Sequence, residues 1–301
     1  MDKKILLLSN NQIDTQLWDR VIQNAPNSRV YAESWYLDCV APNWEGLVYG
    51  NYEYIMPVFV IRKLTISYAI QPAYCQQLGI FPPATPTVTL EFINFLKSKF
   101  RYFQIPLNSL NIRADKYINV DLRKNYILSL NQTYSEIRQK YTKHTLRYLP
   151  KAQAANTVMK GIGISDFIKF KNIHSQKSFT KNHKNALQLI LVHSISKARG
   201  IIYGAYSPKN ELIAAAFFLK SERRFIYLNS VSSTEGKANR AMYAIIDQFI
   251  ADHAQQPALL DFEGSMIEGI ARFFAGFGAQ AENYQIIKHN NLPGIIKWLK
   301  R

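Results

Sequence analysis

The stretch of this chain densest in chemically useful groups is Tyr227 to Ala254, YLNSVSSTEGKANRAMYAIIDQFIADHA. It reads as the end of a β-strand, a Ser- and Gly-containing loop over Ser232 to Asn239, and a helix from about Arg240 to Ala254. The first N–H groups of a helix have no partner inside it, and the helix dipole places partial positive charge behind them. Such a helix start is an anion site, and Lys237 and Arg240 add charge where a phosphate is already favoured. The same pattern also describes an ordinary strand-to-helix connection with a solvent-facing basic turn. It is not a P-loop. No GxxxxGK[ST] spacing occurs, no GxGxxG follows a strand, and Gly161-Ile162-Gly163 has no strand before it.

A second candidate is the pair of carboxylates in LLDFEGS, Asp261 and Glu263. On a strand they alternate with Phe262, so both point to one face while Leu260 and Phe262 point to the other. Two carboxylates at a strand end can orient a substrate amine or accept its proton. They can equally cap the following turn or pair with nearby Lys and Arg. No metal is expected. His144, His174, His183, His193, His253 and His289 form no HExxH or HxH pair, and no Cys cluster lies near them. Cys39 and Cys75 form neither a disulfide framework nor a metal-ligand spacing, and read as buried thiols of a cytosolic protein.

The elements that must position these groups follow from the apolar pattern. Gly200 to Ala205, Glu211 to Lys220 and Arg223 to Val231 read as three strands separated by the polar turns Ser207-Pro208-Lys209-Asn210 and Ser221-Glu222. Leu259 to Phe262 is a fourth, Ile270 to Phe274 a short helix, and Glu282 to Lys288 a final strand. Upstream, Ile118 to Leu122 and Tyr126 to Ser129 are short extended pieces. Thr133 to Ala155 is helix-like, with Ile137, Tyr141, Leu146 and Leu149 on an apolar face, a break or kink at Pro150, and Arg138, Lys140, Lys143, Arg147 and Lys151 on the other face. Ser165 is the expected cap of a helix through Phe170, and His183 to Ser196 is a further helix. The first half opens with strand Ile5 to Leu8 and two helices, from about Asp14 and from Ser34. Strands Leu47 to Tyr49 and Tyr54 to Val60 meet at Gly50-Asn51, and Leu90 to Phe100 is an amphipathic helix. A meander passing into a strand–helix–strand crossover is an α+β arrangement rather than a doubly wound sheet.

Composition sets the limits. At 301 residues, with 48% hydrophobic and 13% aromatic residues, the chain can fill ordered cores and is long enough for two domains. No apolar run approaches membrane-spanning length, since Leu212 to Leu219 is strand-sized and stops at Lys220. The MDKKILLLSN start is too short for a signal peptide, which leaves a cytoplasmic protein as the expectation. Lys and Arg number 37 against 21 Asp and Glu, a net charge of +16. That field favours polyanions such as RNA, a phosphate-rich cofactor or peripheral contact with an anionic membrane surface, and also serves solubility.

Three segments carry a family resemblance. Asn125 to Gln153, NYILSLNQTYSEIRQKYTKHTLRYLPKAQ, resembles the strand and basic helix of Fem-type proteins. Ile201 to His253 looks like a meander followed by an acyl-donor loop and its helix. Asp261 to Ile287 is similar to a terminal Asp-Phe-x-Gly-Ser element, with a Phe-Phe-x-x-Phe-Gly-Ala run at Phe273 to Ala279. The chain thus resembles the Fem-type (FemAB-like) aminoacyltransferase branch of the GNAT N-acyltransferases. The resemblance implies an α+β chain of two tandem GNAT-like domains with mixed, largely antiparallel sheets. The first would span 1–125, completed by about 289–301, and the second 126–288. It implies transfer of an acyl group from acyl-CoA or another acyl thioester to a small-molecule primary amine, with aminoacyl-tRNA as the alternative donor and a non-catalytic binding protein as a further alternative. Carried over by position, Ser232, Ser233, Gly236, Lys237, Asn239 and Arg240 would hold the donor, and Lys151 would lie near its phosphates. Asp261 and Glu263 would orient or deprotonate the amine, with Tyr227 or Tyr243 as proton donor. The long coiled-coil arm of some cell-wall members and the Arg-x-x-Gly-x-Gly/Ala loop of simple GNAT enzymes have no counterpart.

Overall fold

In a computed structural model of the chain, residues 4–63, 66–175, 180–264 and 266–293 are described. Their contacts divide the chain into two compact units, one running to Arg123 and resuming at Asn283, the other spanning Lys124–Glu282.

The first unit begins with β1 (Ile5–Ser9), α1 (Thr15–Asn24), α2 (Ser34–Val40), β2 (Glu45–Tyr49) and β3 (Tyr54–Val58). β1, β2 and β3 form an antiparallel meander, with the turn at Gly50 in the left-handed region that glycine adopts freely. β4 (Val60–Lys63), β5 (Ile66–Ile70), α3 (Pro86–Lys99) and β6 (Tyr102–Pro106) follow. The long Pro-containing connection before α3 has few ladder bonds, so buried amides hold it instead. Asn27 donates to the Ile80 carbonyl at 2.8 Å, Asn108 to Leu78 at 2.8 Å and Asn111 to Ile80 at 2.8 Å. The core packs Leu47, Phe92, Leu96, Phe103 and Ile287 together.

The second unit contains most of β7 (Asn119–Ser129), then α4 (Tyr134–Gln139), α5 (Lys143–Ala155), β8 (Thr157–Lys160), α6 (Ile164–His174), α7 (Lys181–Ser196), β9 (Gly200–Tyr206), β10 (Leu212–Lys220), β11 (Arg224–Ser232), α8 (Thr234–Ala238), α9 (Ala241–His253), β12 (Leu259–Asp261) and α10 (Glu268–Ala275). β13 (Gln280–Asn290) starts here, and its later residues pair antiparallel with β6 in the first unit, from Ile286↔Pro106 to Asn290↔Tyr102. Within the second unit the strand order is β7-β12-β11-β10-β9-β8. The β8-to-β11 neighbours are antiparallel, whereas β11 and β12, joined through α8 and α9, are parallel, as a crossover requires. Along β10 every residue from Ile213 to Leu219 is buried, so this strand forms the centre of the sheet. Phe218 stacks on Phe249 of α9 with ring centroids 3.7 Å apart, and Phe225 meets the same ring edge-on.

Four expectations change. The helix 133–155 is two helices, and the break falls before Thr142, not at Pro150. Thr142 caps α5 by accepting the Thr145 N–H, while Pro150 sits inside α5 with its neighbour Leu149 buried. The restart also changes the phase, burying Thr145, Leu149 and Ala152 and leaving Leu146 exposed. Residues 118–129 contain one long strand rather than two pieces. Helix α6 starts at Ile164 behind Gly163, so Ser165 lies inside it. Finally, 232–239 is not an open loop, because most of it is α8. Of the stretch 289–301, residues 294–301 lie outside the described residues.

Candidate functional site

The crossover from β11 to β12 places the candidate groups. The two strands pair only at Arg224↔Leu259, Phe225↔Leu260 and Ile226↔Asp261. From Tyr227 onward β11 continues along β10, and among the described residues its edge towards β12 is without a strand partner as far as Ser232. Its register against β10 slips by one residue at Leu228, with Phe218 opposite Tyr227 and Phe217 opposite Asn229. A bulge of this kind bends a strand and re-aims its side chains. The Asn229 Oδ1 atom is buried and accepts no hydrogen bond among the described residues, an arrangement with a typical cost of about 1–3 kcal/mol.

Beyond Ser232 the turn is built from within. The Ser233 hydroxyl accepts the Gly236 N–H at 3.0 Å and donates to the Ile213 carbonyl at 3.1 Å. A Cβ on Gly236 would lie 2.1 Å from that carbonyl oxygen, so only glycine fits. Ser233 and Gly236 therefore shape the turn, and their polar groups are already engaged. Asn239 offers its carbonyl to Asn156 Nδ2 at 3.0 Å, which ties the end of α5 to the turn. Arg240 then adopts the left-handed conformation, φ 57°, and α9 begins at Ala241. Lys237 and Arg240 are both exposed and form no ion pair among the described residues.

The Arg240 guanidinium lies over the Tyr148 ring of α5 at 4.6 Å from its centroid, and Arg147 lies near the same ring at 5.2 Å. His144 meets that ring edge-on at 4.4 Å. Tyr148 continues to Tyr243 at 5.7 Å, and Tyr243 to Phe273 of α10 at 4.8 Å. The structure thus joins two groups that were read apart in the sequence, the basic helix and the turn. Lys151 is exposed on α5. Arg138 has another role: its charge acts on a buried hub in which Asp247 of α9 accepts from Tyr134 at 2.9 Å, Tyr141 at 3.1 Å and Gln153 at 3.0 Å. Burial raises the pKa of the Asp247 carboxyl, and these bonds and Arg138 partly offset it. The hub fixes α4 and α5 on α9.

The carboxylate pair separates. Asp261, 1% exposed, receives Arg224 Nη1 at 2.8 Å and the Glu263 N–H at 2.9 Å. Arg224, itself 8% exposed, also approaches Glu282 at 3.5 Å. Asp261 is thus the partner of a buried arginine and a cap for the next turn. Glu263 has left the strand, in a left-handed conformation with φ 60°, and is half-buried. The expected common face of two carboxylates is absent because β12 ends at Asp261. Tyr227 is buried against Phe262 and Phe274, and burial raises its phenol well above the ordinary tyrosine range despite a bond from Ser230. Tyr243 is half-buried and also raised, with Arg240 opposing the shift.

Sequence reasoning missed Tyr148, Asn156 and Asn229. Tyr148 becomes legible once α5 is phased from Thr142. The other two depend on contacts distant in sequence. Among the described residues, no cluster of His, Cys, Asp and Glu could hold a metal ion, and no helix is long and apolar enough to cross a membrane.

No family model matches the sequence, and no curated protein does. Solved structures share the fold at low identity. FemX superposes with a TM-score of 0.68 at 10% identity, covering 100% of both chains. A GNAT-family acetyltransferase from Colwellia psychrerythraea gives 0.55 at 11% identity over 95% of this chain and 100% of its own. A tandem GNAT protein from the clavulanic acid biosynthesis pathway gives 0.54 at 9%, over 97% and 100%.

Proposed function

We propose that this chain is an N-acyltransferase that moves an acyl group from an acyl-CoA-like thioester to a primary amine. The observation carrying this reading is the parting of β11 from β12 after Ile226, which leaves the backbone edge of Tyr227 to Ser232 without a strand partner among the described residues. That edge is followed by α8, which packs on β11 and carries the exposed Lys237, and by the exposed Arg240 at the start of α9. An extended backbone edge can hold an amide-containing donor arm as an added strand does, and the cations suit its phosphates. The full-length likeness to FemX and to GNAT proteins agrees with the reading.

In the reaction the amine nitrogen attacks the thioester carbonyl. A C–N bond forms, the C–S bond breaks, and the departing thiolate takes the proton lost by nitrogen. Positioning contributes most, and N–H groups along β11 can polarise the carbonyl. Glu263 and Tyr243 are the proposed groups near the acceptor, for orientation and proton transfer. Asp261 is left out of that role by its pairing with Arg224, and Tyr227 by its burial.

A second reading, aminoacyl-tRNA as donor, is favoured by the cations Lys143, Arg147 and Lys151, which extend the charge of Arg240 along α5. Donor affinity across a salt series separates the two. A small thioester touches two or three phosphates and gives a shallow slope. A tRNA gives a steep one, log K falling by about 0.7–0.9 per phosphate contacted for each unit of log salt. No binding of either donor would overturn both readings.

A further inference from the structure

The helices of the α6–α7 hairpin contribute none of the candidate groups, although α6 packs against β11, and their sequence is one-sided. From Phe167 to Arg199 the chain carries seven Lys and Arg and no Asp or Glu. Lys169, Lys181 and Lys184 are exposed, and none takes part in an ion pair among the described residues. Asp166, in the first turn of α6, is the sole carboxylate from Ile164 to Arg199, so the cations outnumber it seven to one and produce a local positive field stronger than the net charge alone implies.

The same hairpin exposes large aliphatic side chains. α7 buries Ala186, Leu187, Ile190, Leu191 and Ser194 against the unit. On its outer side Leu189 is 41% exposed and Val192, one turn on, 46%. On α6, which packs against α7, Ile173 is 65% exposed. A helix whose inner stripe is satisfied needs no further apolar residues for folding, so this second stripe has no part in the core.

We propose that the outer face of the α6–α7 hairpin docks on an anionic lipid bilayer. Cations flanking exposed aliphatics match both layers of a bilayer surface, the lysines meeting phosphate headgroups while the aliphatics enter the acyl boundary. A nucleic acid matches only half of this. Bases stack on aromatic faces, and the phenylalanines of α6, Phe167 and Phe170, are buried. The proposal is independent of the transferase reading.

The test uses the full chain in flotation with vesicles of phosphatidylcholine alone, and of phosphatidylcholine containing about one-third phosphatidylglycerol. Binding is expected on the anionic vesicles only and should weaken with salt. Lys181→Ala and Lys184→Ala should each weaken it about fivefold. Leu189→Gln with Val192→Gln should weaken it roughly tenfold or more on the same vesicles. All four side chains are exposed, so thermal stability serves as the control for folding. Lys237→Ala with Arg240→Ala should leave vesicle binding intact, which keeps this result separate from any failure of donor binding. Equal binding to neutral vesicles would overturn the proposal. So would binding indifferent to Leu189→Gln and Val192→Gln, or an RNA homopolymer held more tightly than the vesicles and released by the lysine variants.

Discussion

Replacing Asp261 with alanine separates a structural carboxylate from a catalytic one. In the folded chain its two oxygens accept a guanidinium N–H from Arg224 at 2.8 Å and the Glu263 N–H at 2.9 Å. A bond to a charged group contributes about 1.5–3 kcal/mol and an ordinary one about 1. Asp261→Ala removes both and leaves the Arg224 guanidinium buried, with Glu282 at 3.5 Å as its remaining carboxylate. Stripping one partner from a buried pair costs about 3–5 kcal/mol in all, a range that overlaps the roughly 2.5–4 kcal/mol of the two bonds together. For a cooperative unit of this size each kcal/mol moves Tm by about 2–4 °C, so a fall of roughly 6–20 °C is expected. Differential scanning calorimetry and urea titration measure it. Arg224→Met combined with Asp261→Leu should recover much of the loss, because an apolar pair has no charge to desolvate. A variant Asp261→Ala that keeps its Tm within about 2 °C yet loses all transfer activity would refute the structural assignment.

Three further outcomes follow from the same geometry. Gly236→Ala forces a Cβ against the Ile213 carbonyl, so the turn must shift, with a loss on the order of 2–4 kcal/mol in denaturant titration and weaker donor binding. Lys237→Ala with Arg240→Ala should raise the donor Kd about 5- to 150-fold by calorimetry, since two charge-assisted contacts are lost while backbone donors remain. The Tyr134 phenol in the Asp247 hub is pushed up to about 12 by burial and the neighbouring carboxylate. A raised folded pKa means that its contribution is full below about pH 10, the ordinary tyrosine value, and is lost as pH rises through about 12. The stability difference between the native chain and Tyr134→Phe should therefore stay constant up to about pH 10 and shrink above it.

The second-unit meander was legible in the sequence to within a residue or two. Strand-length apolar runs closed by Ser207-Pro208-Lys209-Asn210 and Ser221-Glu222 leave few alternatives, and the strands at Gly200–Tyr206, Leu212–Lys220 and Arg224–Ser232 follow them. The short helix after Asp261 was legible for the same reason, with Phe274 facing inward as its period requires. What could not be read depended on partners remote in the chain. Arg224 lies 37 residues from Asp261, and no local pattern marks the pair as buried. The restart of the helix at Thr142 is a capping event that competes closely with simple continuation, and it turns Thr145 inward and Leu146 outward. The left-handed Arg240 opposes the usual preference of a residue with a Cβ, so propensity alone extends the helix through it. Such local conflicts concentrate where backbone is held for function.

The central claim is acyl transfer at the β11–α9 crossover, and thiol release tests it most directly. The purified chain is mixed with a panel of acyl-CoA thioesters and primary amines, and free thiol is followed with a disulfide reagent alongside amide product by mass spectrometry. Background from the protein is low, because Cys39 and Cys75 are buried and burial pushes the Cys39 thiol up to about 11. The account predicts amine-dependent thiol release equal to amide formed, with Lys237→Ala and Arg240→Ala raising the donor KM. Amide formed from aminoacyl-tRNA with no thiol released from any thioester, or no product from either donor, would contradict it.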